Sequence, residues 1–417
     1  MRKDLITQQK LKISPLAPKI IKKLLSPIGI DVYVYCARLY NNKRNDLVIF
    51  YFNRSGSISE VFTQSSLRSC TLDWNKKNLA TKTVDAIIVN SGNANTFTGQ
   101  QGINSLHKIS ESICKKFKVS KKNLFFASTG VIGERFPVEK ILNTLNKKKA
   151  VSNKWIDSAK SIMTTDTFPK GISRKIKIDH QYVTITGIAK GSGMIEPNMA
   201  TMLGFIFMDL EVPQKILQIL LKKLVSDSFN KISVDGDEST NDTVIMCSSN
   251  RIKLKKPIKS FKDKRINLLE KKLIKIFKFL SEQIVRDGEG ATKLINIIVN
   301  GGKNDNQVKK IAKSIANSAL FKTAMYGNDP NWGRIIMAIG KTYEKIKPQK
   351  VNIYFGKILV VKNGLEQVSV SNGALKKYLK KENILIKISL GLGKAKYDIQ
   401  TCDFSHGYVD INASYKS

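Results

Sequence analysis

The sequence predicts a mixed fold, α/β or α+β, and three observations carry that reading. Strand-like runs rich in Val, Ile and Phe stop at Gly, Asn or Ser and alternate with helical patterns along the chain. The helical patterns place apolar residues three and four apart with charged residues between them. With 417 residues, 42% of them apolar, the chain can bury a sizeable core in one large domain or two smaller ones. Residues 84–89 form an apolar, β-branched run that stops at Asn90-Ser91-Gly92, and 124–127 a shorter one that stops at Ser128-Thr129-Gly130. Pro213 sits where a first helical turn begins, and Ile216, Ile219, Leu220 and Leu224 follow at helical spacing. Leu268, Leu269, Leu273, Ile276, Phe277 and Leu280 recur with Lys among them, which reads as a solvated amphipathic helix. Residues 305–320 read as one more helix with Ile311, Ile315 and Ala319 along a side; 351–355, 358–361 and 384–390 read as strands. There is no tidy βαβ period to decide between α/β and α+β, and no internal repeat.

The formal charge of +38 invites a nucleic-acid reading. Against it, 60 of the 71 basic residues are Lys. Phosphate and base recognition lean on the Arg fork, and no face gathers basic residues with interleaved aromatics. The charge therefore reads as compositional, and no nucleic-acid partner is expected. No run of 18 apolar residues occurs, so no membrane span is expected. The first ten residues lack the apolar core of a secretory signal and the Arg and Ser of a transit peptide. Cys36, Cys70, Cys114, Cys247 and Cys402 are scattered and never in C-x-x-C spacing, which fits unpaired thiols in a reducing compartment and no zinc site. A cytoplasmic protein without a metal is the expectation.

Residues 190–208, Lys-Gly-Ser-Gly-Met-Ile-Glu-Pro-Asn-Met-Ala-Thr-Met-Leu-Gly-Phe-Ile-Phe-Met, carry the most chemical information. A Gly/Ser/Pro/Asn loop runs into Ala200-Thr201, and an apolar run that reads as a buried strand follows. A hydroxyl at that junction is placed where a self-cleaving nucleophile would sit. If the Ala200–Thr201 bond breaks, Thr201 gains an α-amine beside its own hydroxyl. With a reference pKa of about 7.7–8.0, that amine can act as the activating base near neutral pH. A Gly-rich turn entering a core strand accounts for the same pattern without chemistry. Ser128-Thr129-Gly130 has the same two readings, a plain strand-end turn or a set of N–H and O–H donors open to an anion.

Other features narrow the field. His107, His180 and His406 are the only histidines and no G-x-S-x-G elbow exists, so a Ser-His-Asp hydrolase is not expected. His107 reads as packed on a helix, the other two as surface residues. The segment 235–242, Asp-Gly-Asp-Glu-Ser-Thr-Asn-Asp, has Thr240 and Met246 where a calcium loop needs Gly and Glu, so it reads as a polar turn shaping the nucleophile's surroundings. Gly288-Glu-Gly-Ala-Thr-Lys293 fails the phosphate-loop spacing, and no nucleotide site is expected.

Taken in order, several segments resemble the ornithine acetyltransferase family, the bifunctional arginine-biosynthesis proteins with glutamate N-acetyltransferase activity. They are Asn90-Ser-Gly-Asn-Ala-Asn95 with Thr98-Gly99, Ser128-Thr-Gly-Val-Ile-Gly-Glu134, Met163-Thr-Thr-Asp-Thr167 and the segment 190–208. Beyond it come 235–242, Glu289-Gly-Ala-Thr-Lys293, Gly327-Asn-Asp-Pro-Asn-Trp-Gly-Arg334 and Tyr408-Val-Asp-Ile-Asn412 to Ser417. The resemblance runs from about residue 60 to the end; before that only Ala17-Pro18-Lys19 survives of the family's N-terminal pattern.

The resemblance implies a layered helix–sheet–sheet–helix sandwich with a smaller second α/β domain, placed at about 300–417, in a self-cleaved N-terminal-nucleophile protein. It implies cleavage between Ala200 and Thr201 into fragments 1–200 and 201–417, two copies of each in the assembly. It assigns Thr201 as nucleophile, Thr129 and Gly130 as oxyanion hole, and Thr167, Lys190, Thr201, Glu289, Asn412 and Ser417 as substrate-binding. Lys190 would meet a substrate carboxylate and Glu289 an ammonium group. The implied substrates are N-acetylornithine and glutamate, with no bound cofactor; acetyl-CoA stays open as a second acetyl donor. A self-cleaving aminopeptidase or amidase, with water as acceptor, is the enzymatic alternative.

Overall fold

The structure is a computed structural model and describes residues 12–196 and 202–414. The chain forms two compact units.

The larger unit comprises 19–230 and 237–284. In chain order it holds β1 (Ile30–Tyr35), β2 (Leu47–Phe62), α1 (Cys70–Asn78), β3 (Thr83–Asn90), α2 (Gly99–Phe117), β4 (Leu124–Ser128), α3 (Val138–Lys147), α4 (Trp155–Ser161), β5 (Lys170–Ile178), β6 (Gln181–Lys190), β7 (Leu203–Leu210), α5 (Gln214–Ser226), β8 (Thr243–Ile252) and most of α6 (Lys264–Arg286). The strands make one sheet in the order β4-β3-β2-β8-β7-β6-β5, with β1 added beside β2. The pairs β3–β4 and β7–β8 are parallel. Register with β3 shifts between Tyr51 and Gly56, midway along the 16-residue β2.

The sheet folds over on itself there, because a strand bends where its ladder is interrupted. Phe50 in the first half of β2 meets Phe207 of β7 at 4.6 Å between ring centroids, and Trp155 of α4 meets the same Phe207 at 5.1 Å. Alternation then sorts the faces. Val48, Phe50, Ile87, Val89, Phe125 and Ala127 point into the space between the two wings. Ile49, Ile88 and Phe126 point outward under Leu106, Ile109 and Ile113 of α2 and Ile141 and Leu145 of α3. On the other wing Ile276 and Leu280 of α6 lie against β6 at Gly187. The result is the helix–sheet–sheet–helix sandwich expected from the resemblance, built from one continuous sheet. On α6, Leu269, Leu273, Ile276, Phe277 and Leu280 are fully buried while Lys271, Lys272, Lys275 and Lys278 are exposed. Leu268 departs from the expected stripe and lies on the exposed side.

The smaller unit contains 231–236 and 285–414, together with 12–18. Its elements are β9 (Leu294–Gly302), α7 (Asp305–Ala316), α8 (Ala319–Tyr326), α9 (Trp332–Gly340), β10 (Asn352–Phe355), β11 (Ile358–Lys362), β12 (Leu365–Glu366), α10 (Asn372–Leu379), β13 (Asn383–Ser389), β14 (Ala395–Cys402) and α11 (His406–Ser414). The sheet runs β12-β11-β10-β13-β9-β14 with only β13–β9 parallel. Helices α7, α8 and α9 cover it through Ile311, Ile315, Phe321, Met325 and Ile335. The single helix expected over 305–320 is two. Ser318 stops α7 and caps α8 by accepting from the Phe321 N–H, and Ala319 turns to solvent.

Candidate active site

The parallel strands β3 and β4 end side by side, and each runs into a turn rich in hydroxyl and amide groups. Asn90 ties the turns together: its carbonyl accepts from Thr129 N–H at 3.0 Å and its side-chain oxygen from the Ser128 hydroxyl at 2.6 Å. Asn241, from the polar segment 235–242, reaches across both. Its amide donates to the Ala94 carbonyl at 2.6 Å and the Ser128 carbonyl at 2.9 Å, and its oxygen accepts from Thr96 at 2.6 Å. The segment that looked like a failed calcium loop is therefore the clamp on the strand ends.

Gly130 sits at φ +130°, and a Cβ there would lie 2.4 Å from the Gly92 carbonyl carbon and 2.5 Å from Asn93 N. Only glycine lets the two turns approach this closely. The Thr129 N–H is engaged with Asn90, so the donors this turn can offer a substrate oxygen are the Thr129 hydroxyl and the Gly130 N–H. That is narrower than the open turn the sequence suggested.

Lys190 ends β6 opposite Leu203, the first residue of β7. Its Nζ lies 3.1 Å from Thr129 Oγ1. An ammonium has no acceptor, so the Thr129 oxygen accepts from Lys190 and its own proton stays available to donate. Thr167 follows Asp166, whose carboxylate accepts from the Gly191 N–H at 2.7 Å. Thr129, Gly130, Lys190 and the Thr167 turn are thus gathered at one end of the larger unit. In the smaller unit Asn412 donates to Glu289 Oε2 at 2.7 Å. The Glu289 loop is fastened there by Ser405, which donates to the Gly290 carbonyl at 2.6 Å, and by Asp403, which accepts from Thr292 N–H and Lys293 N–H at 2.8 Å each. Ala200, Thr201 and Ser417 lie outside the described residues. The residue after Thr201 does not: the Met202 carbonyl accepts from Thr243 N–H at 2.9 Å.

The histidines stand apart from this chemistry. His107, expected to be packed on its helix, is exposed and meets Trp74 edge-on at 5.1 Å; His180 and His406 are exposed as expected. All five cysteines are unpaired. Among the described residues no helix is long and apolar enough to cross a membrane, and no three His, Cys, Asp or Glu side chains gather as a metal site.

Glu60 is a residue that no pattern in the chain singles out. It is buried on β2, where Oε1 accepts from Asn75 at 2.9 Å and Thr243 at 2.7 Å, and Oε2 has no hydrogen-bond partner among the described residues. Burial pushes its carboxyl up from 4.5 to about 7, against the pull of the two hydrogen bonds. A raised carboxyl is fully accommodated below its unfolded value and becomes a liability as pH rises through the folded one. Glu60→Gln keeps the shape and removes the charge. Between about pH 5 and pH 8 wild type is expected to lose roughly 2–3 kcal/mol relative to this variant, read from urea midpoints at the two pH values. A constant difference between the two proteins across that range would mean Glu60 does not titrate there.

A sandwich whose strand ends bring a threonine hydroxyl and a glycine N–H beside an ammonium suits the class of acyl-transfer enzymes. The family profile described as the ArgJ family matches residues 32–417. The arginine biosynthesis bifunctional protein ArgJ of Bartonella quintana is 39% identical over 410 residues, covering 98% of this chain and 100% of that one. Its namesake in Nitrobacter winogradskyi is 40% identical over 414 residues, covering 97% and 99%. A crystal structure of arginine biosynthesis bifunctional protein ArgJ from Bacillus halodurans is 35% identical with a TM-score of 0.48, over 52% of this chain and 100% of that one. The chain belongs to the ArgJ family.

Proposed function

We propose that this protein is the self-processing acetyltransferase of arginine biosynthesis that passes acetyl from N-acetylornithine to glutamate. The observation that carries the reading is membership of the ArgJ family over nearly the whole chain, with Lys190 3.1 Å from the Thr129 hydroxyl at the strand ends. In processing, Thr201 Oγ attacks the Ala200 carbonyl; the peptide nitrogen leaves as the new α-amine and water opens the ester. Fragments 1–200 and 201–417 result, two of each in the assembly, in the cytoplasm. In turnover the α-amine takes the Thr201 hydroxyl proton as Oγ attacks the acetyl carbonyl. The Thr129 hydroxyl and Gly130 N–H hold the oxyanion. Collapse expels ornithine with the proton and leaves acetyl-Thr201, which the glutamate amine then attacks. Lys190 serves the substrate carboxylate and Glu289 the ammonium of ornithine, with Thr167, Asn412 and Ser417 as further substrate-binding residues. No bound cofactor takes part. Replacing N-acetylornithine by acetyl-CoA in the same assay decides whether CoA is a second donor.

The test is N-acetylornithine consumption with and without glutamate. Ornithine release should depend on glutamate and match acetylglutamate formed, with the parallel double-reciprocal lines of a ping-pong reaction. Equal release in both, without acetylglutamate, would make the protein an amidase.

A further inference from the structure

Asp166 has no role in the site as read from the sequence, although it lies inside the Met163–Thr167 motif. Its side chain and that of Lys170 are both fully buried, 2.6 Å apart. The oxygen that meets Lys170 also accepts the Gly191 N–H at 2.7 Å, and the other accepts the Thr164 N–H at 3.0 Å. Three segments therefore converge on one carboxylate: the turn that carries Thr167, the start of β5, and the exit of β6 directly after Lys190. A buried ion pair is a weak source of stability, since desolvation offsets most of its attraction. Its retention at this junction points to another reason.

We propose that Asp166 is the positioning residue of the site, fixing Lys190 against the Thr129 hydroxyl so that the hydroxyl proton is presented to the oxyanion. The inference rests on the functional reading above, in which Thr129 and Lys190 serve acyl transfer. The mechanism is local. By holding the Gly191 N–H and the Thr164 N–H, Asp166 sets where β6 ends and hence where the Lys190 side chain starts. Lys170 neutralises Asp166 within the buried pair, and Lys190 beside it is half-exposed. Burial alone would raise the Asp166 carboxyl, but Lys170, Lys190 and the Gly191 amide overcome it and hold it well below the ordinary range. The charged groups that face it are those two lysines, with the Tyr40 hydroxyl also within its field.

The test uses the full-length protein and three variants: Asp166→Asn, Lys170→Met and the double. Each single change leaves one buried charge without its partner, so each should lower the thermal midpoint. The double change removes both charges and should recover most of it. Recovery of the fold should not restore the chemistry. The double variant is expected to lose about ten- to hundredfold in kcat, the scale of a misplaced catalytic group. In Asp166→Asn alone the alkaline limb of the pH profile should move to lower pH, because the Lys190 ammonium has lost an opposite charge and kept Lys170 as a like one. Reductive methylation of Lys190 as a function of pH, read by peptide mass spectrometry, should shift in the same direction without relying on activity. A stable double variant with wild-type kcat, together with wild-type Lys190 reactivity in Asp166→Asn, would overturn the proposal and leave Asp166 a packing residue. If wild type transfers no acetyl to glutamate, the functional reading fails, and the methylation titration still decides whether Asp166 controls Lys190.

Discussion

Thr201→Ala is expected to give a single chain of 417 residues, with no fragments on a denaturing gel and transferase activity lower by about 10⁶, the scale of losing a nucleophile. Both effects follow from one atom. In the proposed mechanism the hydroxyl attacks the Ala200 carbonyl and, after cleavage, carries acetyl. Thr201→Ser keeps that atom and should keep both steps, which separates loss of chemistry from loss of fold. The next residue is held by its surroundings. Met202 is buried and its carbonyl is held by the Thr243 N–H, while Leu203 is paired with Lys190 at the mouth of the sheet. The chain thus enters β7 at a fixed point beside Lys190, which reaches the Thr129 hydroxyl. A wild-type protein that stays intact and yet transfers acetyl would remove the α-amine from the mechanism, since an intact Ala200–Thr201 bond leaves no amine there.

What the sequence made legible here was whatever has a periodic or punctuated pattern. The buried strands β3, β4 and β7 read as apolar runs, because parallel strands covered on both faces have no polar alternation to hide them. Their ends read from the Asn, Ser, Thr and Gly residues that stop them. The fold-over at β2 did not read, since Asn53-Arg54-Ser55-Gly56 carries turn residues yet the strand runs through them as a bulge. The break between α7 and α8 was hidden by an apolar pattern that continues across Ser318. Glu60 and Lys170 were invisible for a different reason. A carboxylate on a strand and one lysine among 60 look like surface residues, and only the three-dimensional surroundings make them buried. The motif around Asp166 could have drawn attention to it, but spacing alone does not say that its partners are a backbone N–H from another strand and two lysines.

Gly130→Ala and Thr129→Ala should both cut turnover, and the difference between them tests whether this turn is an oxyanion hole or only a structural joint. Thr129→Ala removes the hydroxyl and leaves the backbone as it is, with the Thr129 N–H still on the Asn90 carbonyl. The lost donor should cost about 10²–10³ in kcat. Stability should fall by only about 1–2 kcal/mol, the worth of one hydrogen bond to a charged group. Gly130→Ala is a different injury. The new methyl would lie 2.4 Å from the Gly92 carbonyl carbon and 2.5 Å from Asn93 N, at a φ of +130° that a side chain rarely adopts. Nothing flexible lies in its way that could yield, because both neighbours are backbone and Asn241 clamps the two turns on their far side. The turns must separate, which moves the Gly130 N–H and the Thr129 hydroxyl together. Turnover and processing should then both be lost, with a stability cost of roughly 2–4 kcal/mol from backbone strain and overpacking. Fragment formation, kcat and thermal midpoint measured on both variants distinguish the cases. Full activity in Thr129→Ala with collapse in Gly130→Ala would mean that the turn is architecture and that the oxyanion is held elsewhere.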